Sequence, residues 1–301
     1  MKYLFTLLTA SVLLFSFSHK DKPPIYDLKF IEKNLSRIPA GILTARSDRP
    51  AMRVESFYMF NQEVSNGFYL QYVRSLQSQE KSDLSQKALP DTLVWRDKLS
   101  LNEPYTQYYF RHPAYHDYPL TGVTHAQSIA FCSWLTKVYN SDPKRRFKKV
   151  TFTLPDSVQR EYAALGGLNG SVFPWGGPNM QNSKGAWLAN FRIIDQANLQ
   201  RTLENGKSLN EFVIRQSYSD LTVPGHADVT APVTSYYPNG YGLYNMSGNV
   251  EEFLLHEGET MGGSWMDPGY YLQNHVHETY DSSRSASRER GFRFIMKVLE
   301  E

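Results

Sequence analysis

The stretch GLYNMSGNVEEF, Gly242 to Phe253, packs asparagine amides, a Ser-Gly-Asn turn and the carboxylates of Glu251 and Glu252 into a few residues. Calcium takes hard oxygen ligands: carboxylates, side-chain amides and backbone carbonyls. An Asn side chain, two carbonyls from a tight turn and a later Glu can converge on one such ion. Gly248 permits the backbone reversal that turns its own carbonyl inward. The same residues also suit a helix start, with Asn249 as cap and Glu252 three positions on, close to a capping box. The two uses are compatible if they engage different atoms.

Other residues offer other chemistry. His275 and His277 in NHVHE share a face if the segment is extended, and Glu278 adds an oxygen, a set that can bind zinc or iron. The competing reading is a pair of exposed loop histidines. Asp267, just after Gly262-Gly263-Ser264, can act as an acid or base, with no partner visible nearby. The glycines of WGG and GGS serve tight backbone geometry, since no phosphate-loop lysine follows them. Cys132 is the single cysteine, so no disulfide forms within the chain.

Elements must hold these residues in place. A strand is expected within Arg53–Phe60, followed by a helix capped by Ser65 with Phe68, Tyr69, Tyr72, Val73 and Leu76 inward. QSQEKSDLSQKALPDT is polar and reads as loop. GVTHAQSIAFCSWLTKVYN is the clearest helix, with Thr124 and Gln127 as a capping box. Its stripe is Ala130, Trp134 and Val138, with Ile129, Phe131, Cys132 and Leu135 beside it, which makes Cys132 a small buried apolar residue. Asp156 and Gln159 repeat the capping device, with Val158, Tyr162 and Ala163 inward. The rest is rich in Gly, Pro and Asn, with short strands such as FRFIMKV.

The bulk numbers set the class. The 301 residues are 41% hydrophobic, 21% charged and 14% aromatic, ordinary for a globular chain apart from the ring content. A net charge of +2 supplies no basic field for nucleic acid. Lys2, the apolar run from Tyr3 to Phe17 and Ser16-Phe17-Ser18 read as a signal peptide over 1–18, since a span needs about 20 residues. Residues 19–50 read as an N-terminal arm that packs on the body or a partner, and 51–301 as the domain. No cysteine near the leader accepts a lipid, and no later run crosses a membrane. The expected location is periplasmic, cell-surface or secreted.

The motifs form a series: EVSNGFYLQYV, YPLTGVTHAQSIAFCSWL, TLPDSVQREYAALGG, FPWGG, LANF, NGYGLYNMSGNVEEF, GGSWMDPGYYL and GFRF, in that order. It resembles the formylglycine-generating-enzyme (sulfatase-modifying factor) domain over about Phe57 to Val298. The resemblance implies an α+β, C-type-lectin-like fold, loop-rich with few helices and short strands. PDTLVWRDKLSLNEPYTQYYFRHPAYHDYPLTGV and FPWGGPNMQNSKGAWLANF are similar to gliding-motility and type IX secretion lipoproteins of Bacteroidetes, in which the domain is structural. Their lipid-acceptor cysteine is missing from this chain.

By the same resemblance, active members hold copper with two cysteines after the GGS motif, at the positions of Asp267 and Leu272 here. A thiolate pair suits Cu(I) and a carboxylate does not replace it, so formylglycine generation is not expected. A family calcium site falls on Asn245, the carbonyls of Gly248 and Val250, and Glu252. A second begins at Asn190 and the carbonyl of Phe191, with Asp220 or Asp228 as its acid. His125 falls where the family often has Trp, which gives it a packing role. The expected function is a non-catalytic interaction component of an envelope secretion or gliding apparatus, with envelope proteins as partners and calcium as a structural ion. The alternatives are a copper-independent oxidase or hydrolase using Asp267, His275 or His277, and a lectin-like module with a cleft lined by Trp175, Trp187 and Trp265.

Overall fold

Asp27 begins the described chain by accepting the backbone N–H groups of Lys29 and Phe30, which starts the short helix α1, Leu28–Lys33. The structure, a computed structural model, describes residues 27–79, 81–96, 102–193 and 229–301, with backbone elements also at 199–204 and 207–212. The expected leader lies outside the described residues.

Strand β1, Leu35–Ile38, follows at once, and β2, Gly41–Leu43, pairs with β3, Met52–Val54, as a small hairpin. Strand β4, Phe57–Phe60, pairs antiparallel with β1 in the register Leu35 to Phe60 and Ile38 to Phe57. Most of the expected arm is therefore woven into the body. Leu28 and Ile31 are buried in the main core, and β1 is an edge of the main sheet. A boundary near Ala51 overlooks a helix of only six residues, too short to show an amphipathic period.

Helix α2, Asn66–Ser78, is capped by Ser65 as expected, its hydroxyl accepting from Phe68 at 3.2 Å. The polar stretch after it is not all loop: it forms α3, Ser82–Lys87, and a 3-10 turn at Thr92–Trp95. Another short helix, α4, is Glu103–Tyr108. Helix α5, His125–Ser141, carries the full Thr124–Gln127 capping box. Of the expected inward residues Phe131, Cys132, Trp134 and Leu135 are buried, joined by His125, Ser128 and Tyr139, whereas Ile129 and Val138 are only partly buried and Ala130 is exposed.

Strand β5, Lys149–Thr153, leads to α6, Ser157–Ala164, whose Asp156–Gln159 capping box is also complete. Strands β6, Leu199–Glu204, and β7, Lys207–Phe212, form a separate hairpin. Strands β8 (Glu251–Phe253), β9 (Glu259–Met261), β10 (His277–Thr279) and β11 (Arg290–Gly291) form a second sheet in the order β10-β9-β8-β11, and β11 runs parallel to β8. The last strand, β12, Ile295–Glu300, sits inside the first sheet, whose order is β1-β4-β12-β5. Phe60, Phe68, Phe131 and Phe294 form the ring-packed centre between that sheet and helices α2 and α5. The fold is α+β and loop-rich, as expected.

Candidate functional site

The opening loop is a buried reversal. Asn245, Gly248 and Asn249 have φ of 48°, 76° and 68°, the left-handed region that Asn and Gly enter most easily. A Cβ on Gly248 would meet the carbonyl oxygen of Asn190 at 2.3 Å, so the close approach itself requires glycine. Asn249 is no helix cap, because β8 follows it. Its side chain instead ties three segments together. Nδ2 donates to Glu63 Oε1 at 2.9 Å and to the carbonyl of Ala231 at 3.0 Å, and Oδ1 accepts from the Ala231 N–H at 2.7 Å.

Glu252 is fully buried between two guanidinium groups. Arg160 Nε, from α6, donates to its Oε2 at 2.8 Å, and Arg160 Nη2 donates to the carbonyl of Met246 at 2.8 Å. Arg293 donates to Oε1 from Nε at 3.1 Å and from Nη2 at 2.9 Å, and also to the carbonyls of Phe60 and Tyr244. Burial pushes the Glu252 carboxyl up, but the two arginines outweigh it and leave it below its ordinary value. Glu63 accepts from Asn249 and from Asn245 Nδ2 at 3.1 Å. Burial raises it, Arg293 opposes, and it reaches about 7.

This arrangement does not fit calcium at the first expected position. Both oxygens of Glu252 are engaged by guanidinium groups, and Arg160 also holds the loop carbonyl of Met246. A dication beside Glu252 would stand next to two buried arginines, in surroundings where like charges repel far more than in water. Of the side chains in that donor set, Asn245 Oδ1 is without a partner among the described residues. The second position fits better. Asn190 is fully buried, its Nδ2 donates to the carbonyl of Val229 at 2.8 Å, and its Oδ1 has no partner among the described residues. Phe191 is buried beside it, and Asp220 and Asp228 lie outside the described residues.

The Gly-Gly-Ser corner is a separate environment. Asp267 Oδ2 accepts from the Ser264 N–H at 2.8 Å and from its hydroxyl at 2.6 Å, closing a tight turn. Leu272 is fully buried against Phe173, Ala189 and Phe191. Carboxylates accumulate around Asp267. Glu251 accepts from Thr260 and Arg290, both at 2.5 Å. Glu278 is raised to about 8 by burial first and then by Asp267 and Glu251, and its Oε1 has no partner among the described residues. Burial, Asp267 and Glu251 raise Glu289 as well. Cys132 lies elsewhere, buried on α5, and burial pushes its thiol far up.

The remaining candidates separate. His275 and His277 flank buried Val276; Arg46, Asp48 and His277 act on His275, and His277 acts on Glu161, whose carboxylate is paired with Arg46 and Arg49. Burial lowers His275, and Arg46 lowers it further, which disfavours a cation there. Among the described residues no group of three or more His, Cys, Asp or Glu is arranged to hold a metal. The three tryptophans do not form one cleft. Trp175 stacks on Phe173 and Trp187 packs edge-on to Phe191 in one small cluster, whereas Trp265 stacks on Trp95. His125 packs edge-on to Phe253, with Nε2 2.9 Å from the Leu254 carbonyl, in keeping with its packing role.

Sequence reasoning missed Glu63, Arg160 and Arg293. A signal existed for the last: Arg293 stands between Phe292 and Phe294 in a strand-like run, a charge where apolar neighbours alternate.

These features define a loop-rich α+β domain whose ordered loops are braced by buried arginine–carboxylate contacts. Residues 29–298 match the sulfatase-modifying factor enzyme 1-like domain, and the chain belongs to that family. It is 27% identical to the formylglycine-generating enzyme of Bos taurus over 257 residues, covering 72% of this chain and 56% of that protein. It is 26% identical to the enzyme of Mus musculus, covering 81% and 60%. It is also 27% identical to the inactive C-alpha-formylglycine-generating enzyme 2 of Bos taurus, covering 59% and 50%. The chain thus spans under two thirds of the length of these relatives. Among solved structures it shares its fold with PvdO from Pseudomonas aeruginosa (TM-score 0.54, 16% identity, 87% of this chain and 94% of that one). CarF gives a TM-score of 0.53 at 18% identity, with 88% and 98% covered.

Proposed function

We propose that this chain is a non-catalytic member of its family, a structural or interaction component of an envelope secretion or gliding apparatus, reached through the leader at 1–18. One observation carries the non-catalytic half. Asp267 is spent on the Ser264 turn and Leu272 is buried in an apolar cluster, at the positions where the resemblance sets the copper cysteines. Neither side chain offers a thiolate, and the distant Cys132 is buried with its thiol held protonated. The occurrence of inactive proteins among its relatives supports the same reading. The apparatus half rests on the segments similar to gliding and secretion lipoproteins.

The test has two arms. Purified protein given copper and a thiol peptide is expected to yield no aldehyde, and aldehyde formation would end the non-catalytic reading. Crosslinking in native cells is expected to recover secretion or motility proteins, and their absence would end the apparatus reading alone. The structural calcium is proposed at Asn190 and Phe191 only. Chelation is then expected to lower the Tm of the wild type and to leave Asn190→Ala unchanged; no change in the wild type removes the ion from the proposal.

A further inference from the structure

Asparagine followed by glycine occurs four times in the chain, at Asn66, Asn169, Asn205 and Asn239. A glycine in that place leaves its main-chain nitrogen unshielded by a Cβ and its backbone free to turn. The nitrogen can then attack the carbon of the preceding side-chain amide. Sequence makes each pair able to modify itself, and the fold decides which one does. Asn205 and Gly206 lie outside the described residues.

Two of the other pairs are held. Asn66 is fully buried at the start of α2. Its Nδ2 donates to the carbonyls of Tyr109 and Tyr115, both at 3.0 Å, and the Gly67 N–H donates to the carbonyl of His116 at 2.9 Å. Asn239 is tied through both atoms of its amide. Nδ2 donates to the carbonyls of Ala163 and Ala164 at 2.8 and 3.1 Å, and Oδ1 accepts from the N–H groups of Tyr241 and Leu243 at 3.0 and 3.2 Å. Ring closure at either pair has to break such bonds first.

The third pair is free. Asn169 and Gly170 are exposed, at the middle of a four-residue turn that the Ser171 N–H closes on the Leu168 carbonyl at 3.2 Å. Gly170 has φ of 78°, and a Cβ there would meet nothing within 4 Å. Neither the Asn169 amide nor the Gly170 N–H has a partner among the described residues.

We propose that Asn169 is a site of spontaneous deamidation, with isoaspartate as the main product. The Gly170 nitrogen bonds to Asn169 Cγ and gives its proton to water, while the side-chain nitrogen leaves as ammonia. Water then opens the succinimide. Addition at the former side-chain carbonyl gives aspartate, and addition at the main-chain carbonyl gives isoaspartate. No electrons change hands, and water is the only co-reactant. Either product adds a carboxylate, and isoaspartate also adds a carbon to the main chain, in the turn that leads from α6 to the stacked Phe173 and Trp175. That turn is tied to the loop before β10, where Asn274 Nδ2 donates to the Ser171 carbonyl at 3.1 Å. The inference does not depend on the non-catalytic reading.

Ageing the full chain in warm neutral buffer, followed by peptide mapping in a mass spectrometer, tests it. Folded protein is expected to convert Asn169 at least about tenfold faster than Asn66 or Asn239, the factor that one hydrogen bond to be broken contributes. An isoaspartate-directed carboxyl methyltransferase should label the Asn169 peptide, and Asn169→Gln should remove that label. In urea the rates at Asn66 and Asn239 should rise to meet that at Asn169, since the fold alone separates them. Equal rates at the three sites in folded protein overturn the inference, as does a lead at Asn66 or Asn239. So does an Asn169 that reacts only once the chain is unfolded.

Discussion

The brace around Glu252 and the corner around Asp267 lie on either side of the same sheet residues, Glu251 and Glu252, yet they balance charge in opposite ways. At the brace, one carboxylate is held by Arg160 and Arg293, and nearby Glu63 is raised toward neutrality. At the corner, Glu251, Glu278, Glu289 and Asp267 gather with Arg290 as the close partner of Glu251 alone. At the brace two guanidinium groups match the buried Glu252 carboxylate, whereas the corner carries more acid than base. Their adjacency on β8 shows how one residue step in a strand, which switches faces, separates two electrostatic environments.

The largest expected effect tests the brace. Arg293→Met leaves Glu252 with one guanidinium and strips the carbonyls of Phe60 and Tyr244 of a donor. Removing one partner of a buried ion pair costs roughly 3–5 kcal/mol, so urea unfolding should show a loss of that order. Asp267→Ala at the corner should lose far less, about 1 kcal/mol, since it removes hydrogen bonds within one partly exposed turn. Equal losses would erase the contrast between the two regions.

A pH series sharpens it. Below its ordinary value of 4.5 Glu63 is protonated in both folded and unfolded chains and contributes nothing. Between 4.5 and about 7 the unfolded chain loses that proton while the folded chain keeps it, so stability falls as pH rises. The fall is on the order of 3 kcal/mol at full extent. Glu63→Gln should reduce this slope in denaturant titrations from pH 4 to 7, and an unchanged slope would show that Glu63 titrates normally.

The smallest expected effect is at the corner, because Glu278 is only partly buried and solvent screens its charge. Glu278 is raised to about 8, so its part of the decline continues to higher pH than that of Glu63. Glu278→Gln should flatten the curve from pH 4.5 to about 8, and it alone should remove the part of the decline above pH 7, where Glu63 no longer contributes. Thermal unfolding at pH 7.5 and 8.5 measures this, and an effect confined to acid pH would contradict the crowding of carboxylates there.

Local devices were legible in the sequence because their partners are close along the chain. Ser65, the Thr124–Gln127 box and the Asp156–Gln159 box each join atoms three residues apart, and all three are present. The brace was not legible, since Arg160 and Glu252 are 92 positions apart and Glu63 and Asn249 are 186 apart. Glu252 read as an ion ligand because its loop has the right oxygens. The sequence gives no hint that an arginine on α6 reaches the same carboxylate. The Ala130, Trp134 and Val138 stripe was legible as apolar, but whether it faces core or solvent depended on the placement of α2 and α3.

The position of β12 has a consequence for how the protein comes into being. Ile295 and Met296 pair with Met59 and Tyr58 on one side and with Thr153 and Phe152 on the other. The middle of the main sheet is thus empty until the far end of the domain has been delivered. A chain emerging from its N-terminus therefore leaves β4 and β5 without their common neighbour until β12 follows.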